Sequence, residues 1–151
     1  MIQGVEIKSL ITHPDDRGYF REILRDDDSL LSNFGQTSVT LTYPGVIKAF
    51  HYHERQDDLW YVAKGMAQCV LYDRRKDSPT YKQTQVIFAG EYNPVLIKIP
   101  IGVAHGYRAI GPEPVILFYH TTTSYNSQNP DEKRIPWDDP EIGFDWTTKN
   151  R

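Results

Sequence analysis

Hydrophobic residues come in short alternating runs along this chain, and turn signals break them at intervals of about 8 to 12 residues. The breaks fall at Asp15-Asp16-Arg17-Gly18, Pro44-Gly45, Gly65, Asp77-Ser78-Pro79, Gly90, Pro100-Ile101-Gly102 and Gly111-Pro112. Between them the runs are rich in Val, Ile, Tyr and Thr, which fit a pleated, half-buried surface. This pattern predicts strands over Gln36–Tyr43, Val46–His53, Leu59–Ala63, Ala67–Asp73, Val95–Ile99 and Val115–Thr122. One short helix is predicted over Asp27–Phe34. The chain therefore reads as all-β. Sheets of this length have edges to hide, and the usual solutions are a closed barrel, a sandwich or a jelly roll.

The 151 residues suit one domain spanning 1–151, and no repeat, low-complexity tract or long linker divides them. Aromatic residues make up 13%, ten of them Tyr, so much of the burial is expected from rings that carry a polar tip. The formal net charge of −3 offers no basic surplus for a nucleic-acid backbone. No run approaches the roughly 20 apolar residues of a membrane span, and the start MIQGVEIKSL lacks the pattern of a signal peptide. The expectation is a cytoplasmic protein with no membrane and no nucleic-acid partner. The lone Cys69 cannot form an intrachain disulfide and reads as a small buried side chain.

Candidate chemistry begins in the strand Val46–His53. Strict alternation puts Ile47, Ala49, His51 and His53 on one face, so two imidazoles follow two apolar residues toward the same side. The spacing Gly45, His51, His53, Asp58, Gly65, followed by Pro100-Ile101-Gly102-Val103-Ala104-His105, resembles the two cupin motifs. In that superfamily the corresponding side chains converge at the mouth of a small jelly roll. His51, His53, Asp58 and His105 would suit a divalent transition metal, Fe(II), Mn(II), Ni(II) or Zn(II), so a metal-dependent cupin is one reading.

A longer resemblance runs from Asp16 to Trp146. It is carried by Asp16-Arg17-Gly18-Tyr19-Phe20-Arg21-Glu22, by Gly45-Val46-Ile47-Lys48-Ala49-Phe50-His51-Tyr52 and by Asp73-Arg74-Arg75-Lys76-Asp77-Ser78-Pro79-Thr80. Ile99-Pro100-Ile101-Gly102-Val103-Ala104-His105-Gly106-Tyr107 follows, then Phe118-Tyr119 through Tyr125, and finally Trp137-Asp138-Asp139-Pro140 with Asp145-Trp146. In this order and spacing the pieces resemble the dTDP-4-dehydrorhamnose 3,5-epimerase family, a branch of the cupins that works without a metal or other cofactor. The resemblance implies a cupin-type jelly-roll β-barrel with short helical segments. It also implies a nucleotide-sugar substrate, an NDP-4-keto-6-deoxyhexose, epimerised by proton abstraction next to the keto group.

On that resemblance His51 is the base and Tyr119 the proton donor. Arg17, Phe20 and Glu22 match a segment that reaches into a neighbouring subunit's site, which implies a homodimer. Gln36, Lys48, His53, His105 and Tyr125 match or adjoin positions that line the substrate site. The chain also departs from the family. Lys48 stands where Arg is common, Asp58 replaces a site lysine, and Cys69 replaces an acidic residue. The family's acidic partner for the base lies beyond the closing tryptophan, in a stretch this sequence does not contain. A histidine base needs an orienting group on its other nitrogen, and Asp58, together with His53, is the nearest candidate. A non-catalytic nucleotide-sugar-binding cupin is the remaining alternative.

Overall fold

The computed structural model describes residues 1–149. Twelve strands follow one another among the described residues: β1 (Glu6–Ser9), β2 (His13–Asp15), β3 (Gly18–Phe20), β4 (Gln36–Thr42), β5 (Ile47–Tyr52), β6 (Asp58–Lys64), β7 (Met66–Asp73), β8 (Thr84–Gly90), β9 (Val95–Ile99), β10 (Val103–Ile110), β11 (Val115–Thr121) and β12 (Lys133–Arg134). They form two five-stranded antiparallel sheets, ordered β1-β9-β6-β11-β4 and β12-β5-β10-β7-β8, and the small hairpin β2-β3. The two large sheets face each other. Trp60, Val62, Ile97, Val115 and Leu117 from the first meet Ala67, Cys69, Leu71, Ile87, Val103 and Tyr107 from the second in one buried cluster.

The outer faces are covered as well. Leu59, Tyr61 and Leu96 on the back of the first sheet pack under Leu10, Leu30 and neighbouring residues of the N-terminal segment. Phe50, Val70, Tyr72 and Ala104 on the back of the second pack under Ile142 and Trp146 from the C-terminal segment. This explains the continuous apolar run of β6: its inner face meets the opposite sheet and its outer face meets the N-terminal segment.

Three expectations from the sequence are corrected. Neither sheet closes into a barrel. The chain passes from β4 in one sheet to β5 in the other at Pro44-Gly45, and this corner is tied by Lys48 Nζ donating to Thr40 Oγ1 and the Leu41 carbonyl rather than by a β-ladder. The described residues contain no helix, and residues 27–34 are turn and bend. There Asp28 accepts bonds from Lys8 Nζ and the Arg25 amide, so a side chain satisfies the backbone in place of a first helical turn. Without a helix, none crosses a membrane.

The third correction concerns the phase of β5. Against β10 its register runs His51 to His105 and then Lys48 to Tyr107, three residues against two, which is a bulge. Ile47 and Ala49 therefore pack into the outer cluster beside Phe50, while His51 faces the inner side with Trp60 and His105. Gly106 leaves room for this step, since a Cβ there would stand 2.2 Å from that of Ala49.

The turn after β7 is organised by Asp73, whose carboxylate is fully buried. It accepts bonds from the Arg75 amide and guanidinium and from the Ser78 and Thr80 hydroxyls. Burial opposes its ionisation, but these donors outweigh burial and hold its pKa well below the usual carboxylate range. Asp73→Ala is expected to cost about 3 kcal/mol in urea unfolding at pH 7, because it removes a buried carboxylate and leaves its partly buried donors without an acceptor. A depressed carboxyl pKa stabilises the fold above its unfolded value, so the difference between wild type and variant should narrow as pH falls below about 4.

Candidate functional site

Between the sheets lies a cavity of about 830 Å³. Its lining includes Gln36 and Thr40 of β4, His51 of β5, Asp58 and Trp60 of β6, Tyr107 of β10, Leu117 and Tyr119 of β11, and residues from the segment 123–132. The volume falls in the range of about 300 to 1,000 Å³ common for small-molecule sites. β4 turns Gln36, Ser38, Thr40 and Thr42 inward and leaves Val39 and Leu41 exposed, so this wall of the cavity is polar.

At the cavity floor Asp58 is 2% exposed. Its Oδ1 accepts from Gln56 Nε2 at 2.9 Å and its Oδ2 from Trp60 Nε1 at 3.4 Å. The Nε2 atoms of His53 and His105 each stand 3.5 Å from the same Oδ2. Each of these imidazoles is also held at its other nitrogen: His53 Nδ1 donates to the Asp131 carbonyl at 2.6 Å and His105 Nδ1 to the Val103 carbonyl at 2.9 Å. A carbonyl only accepts, so both Nδ1 atoms carry hydrogen and both Nε2 atoms turn toward the carboxylate. Burial opposes charge on Asp58, yet the bonds to His105 and His53 hold its pKa below the usual range. Burial also works against protonation of His53, but Asp58 and the Asp131 carbonyl raise its pKa on balance.

His51 stands beside this cluster. Its ring centroid is 4.2 Å from that of His105 and 5.4 Å from that of His53. Burial, then the neighbouring charges of His105 and His53, push its pKa down to about 2, so it is a neutral imidazole. Asp58 lies between His53 and His105 and is not paired with His51. Across the cavity, Tyr119 sits between Ser38 and Trp60 in the first sheet.

The other anticipated residues divide in two. Gln36 lines the cavity and accepts the Tyr125 amide at 2.7 Å, and Tyr125 lines it too. Lys48 is exposed and bonded at the β4 corner. Arg17, Phe20 and Glu22 lie on or beside the β2-β3 hairpin and are exposed outside the lining, with Arg17 paired to Asp15 and Glu22 to Arg25.

The sequence reading missed Gln56, Trp60, Tyr107 and Asp131. The first three were open to discovery, because alternation places Trp60 with Asp58 and Tyr107 with His105, and Gln56 stands two residues before Asp58. Asp131 carried no signal: it sits in the polar stretch after Ser124, where its carboxylate accepts the Glu54 and Arg55 amides.

The whole chain, residues 1–151, matches the family described as dTDP-4-dehydrorhamnose 3,5-epimerase. It is 60% identical over 151 residues to the spore coat polysaccharide biosynthesis protein SpsL of Bacillus subtilis strain 168, covering 100% of both chains. A dTDP sugar isomerase from Desulfovibrio desulfuricans G20 shares the fold with a TM-score of 0.91 and 29% identity, over 99% of this chain and 94% of that one. A dTDP-6-deoxy-D-glucose-3,5-epimerase from Legionella pneumophila Philadelphia 1, solved in complex with dTDP-4-keto-L-rhamnose, gives a TM-score of 0.87 and 25% identity, over 100% of this chain and 82% of that one.

Gln56 holds the floor together, donating to Asp58 while its Oε1 accepts from Thr123 Oγ1 at 2.9 Å. Gln56→Leu keeps the approximate volume and removes both bonds. It is expected to cost about 2 kcal/mol, read as a lower urea midpoint at unchanged slope.

Proposed function

The chain belongs to the dTDP-4-dehydrorhamnose 3,5-epimerase family, and on that premise we propose that its cavity binds an NDP-4-keto-6-deoxyhexose and inverts carbon centres beside the keto group. The observation that carries the reading is the placement of His51 and Tyr119 on opposing sheets, lining one cavity. A ketone acidifies the neighbouring C–H because the electron pair left by the proton moves onto the carbonyl oxygen. His51, as a neutral imidazole, takes that proton. Tyr119 gives its hydroxyl proton to the opposite face of the resulting enolate, the carbonyl re-forms, and the centre is inverted. Solvent then returns both side chains to their starting protonation states. The polar wall of β4, with Gln36 and Thr40, faces the hydroxyl-bearing sugar, and Tyr125 at the rim offers an aromatic face to the nucleotide base.

A homodimer belongs to the same proposal. The outer face of β4 leaves Val39 and Leu41 about half exposed or more, at 59% and 50%, and Phe20 on the hairpin is 64% exposed. Apolar surface of this kind suits burial against a second copy, which would carry Arg17, Phe20 and Glu22 toward the neighbouring cavity.

Two outcomes are expected. In deuterated water with dTDP-4-dehydro-6-deoxyglucose, NMR should show loss of the C–H signals next to the ketone for the wild type and no loss for His51→Gln. Tyr119→Phe should still wash deuterium in from the His51 face while forming inverted product at least about a hundredfold more slowly. Retention of wild-type inversion by Tyr119→Phe would remove that residue from the mechanism. In sedimentation velocity the wild type should run at twice the mass of one chain, with Leu41→Lys shifting it toward the single-chain mass.

A further inference from the structure

We propose that Arg55 is the anion-binding residue of the cavity and holds the diphosphate of the nucleotide sugar. The proposal rests on the reading of this cavity as a nucleotide-sugar site and names the residue that answers the substrate's charge. Among the described residues that line the cavity, Arg55 is the one permanent cation, while Asp58, Asp131 and Glu132 bring carboxylates. By count alone, this lining would repel a diphosphate. The local pairing changes that balance. Asp58 accepts from Gln56 and Trp60 and stands between two imidazoles. The Asp131 carboxylate is 10% exposed and accepts the Glu54 and Arg55 amides at 3.0 and 2.8 Å. Glu132 accepts from Arg134 Nε at 2.7 Å. Each anion thus has donors of its own.

Arg55 is held in place but keeps donors to offer. Its Nη2 donates to the Asn129 carbonyl at 3.0 Å, and its Nε stands 3.6 Å from Asp131 Oδ1, beyond a hydrogen bond. A guanidinium fans its N–H groups in one plane, so with Nη2 donating once, both Nη1 hydrogens and the second Nη2 hydrogen remain for phosphate oxygens. The side chain is 53% exposed, which leaves it open to a ligand. Asn129 and Asp131 both belong to the segment that lines the cavity, so they anchor a fork of the kind that recognises phosphate.

Other cations of the chain are placed differently. Lys48 Nζ donates to Thr40 Oγ1 and the Leu41 carbonyl, and Lys48 lies outside the lining. Arg134 is paired with Glu132, and Arg17 with Asp15 on the hairpin. Even where a second copy brings its Arg17 toward the cavity, Arg55 remains the cation that the cavity's own chain provides. Tyr125, assigned to the base, and His51, assigned to the sugar, line the same cavity as Arg55. The diphosphate is the link between those two parts of the substrate.

Calorimetric titration of the full-length protein with dTDP tests the assignment. Arg55→Gln, checked for an unchanged thermal midpoint, should bind dTDP at least about tenfold more weakly than the wild type. Arg55→Lys keeps the charge without the fork and should fall between the two. Wild-type affinity should drop as salt is raised, and the drop should be shallower for Arg55→Gln because a screened charge contact is gone. Wild-type affinity in Arg55→Gln would overturn the assignment. Weaker binding with an unchanged salt dependence would overturn it too, since Arg55 would then only brace the segment that holds Asn129 and Asp131. A wild type that binds no dTDP would overturn both the subsite and the nucleotide reading beneath it. The epimerase chemistry fails separately: if dTDP binds through Arg55 but no sugar proton exchanges, the subsite stands and the chemistry falls.

Discussion

A carboxylate buried to 2% exposure at the bottom of a cavity has to be matched by positive charge or by donors, and the arrangement around Asp58 follows from that demand. Gln56 and Trp60 supply two donors, and two imidazoles turn their Nε2 atoms toward the oxygen that remains. Those imidazoles can turn inward only because backbone carbonyls at Asp131 and Val103 hold their far sides. The segment around Asp131 is thus part of the floor, although it lies far along the chain from His53. Its carboxylate closes the same loop by accepting the Glu54 and Arg55 amides.

The sheets meet this demand through the bulge in β5. A regular strand would send Ile47, Ala49, His51 and His53 to one side and would leave the outer cluster short of apolar contacts. Taking three residues against two of β10 lets Ile47, Ala49 and Phe50 contribute to the packing under Trp146 while His51 reaches the cavity. Gly106 is the counterpart in β10, since any side chain would collide with Ala49. One irregularity therefore serves two cores, and the C-terminal segment that covers the outer one is coupled through it to the position of His51.

Much of the fold was legible because short runs of β-branched and aromatic residues are bounded by turn residues. β9 was predicted with its observed bounds, and β4, β6, β7 and β11 within one residue at each end. β10 was missed because Gly106 interrupts a run that otherwise reads as strand, and β8 because its outer residues Val86 and Phe88 lie on an edge. The helix expected over Asp27–Phe34 failed because its acidic residues satisfy local backbone and lysine groups in turns. At the site, the resemblance of His51, His53, Asp58 and His105 to the cupin motifs implied their convergence, and their donor atoms lie within 4.8 Å of one another. Spacing held no information on the bulge, on Asp131, or on which histidines Asp58 would join.

The charge balance of the floor bears on how one fold hosts this chemistry with different residues. An enolate needs nearby positive potential, and a lysine supplies it as a fixed point charge on a flexible stem. At the same place this chain carries an anion, so its charge has to be answered by the donors gathered around it. His53 answers the anion as well, since Asp58 and the Asp131 carbonyl favour its protonated form against burial, while burial holds His51 neutral beside it. Because His53 Nε2 stands 3.5 Å from Asp58 Oδ2, the exchange of lysine for aspartate is tied to His53, and the two residues should be treated as one change.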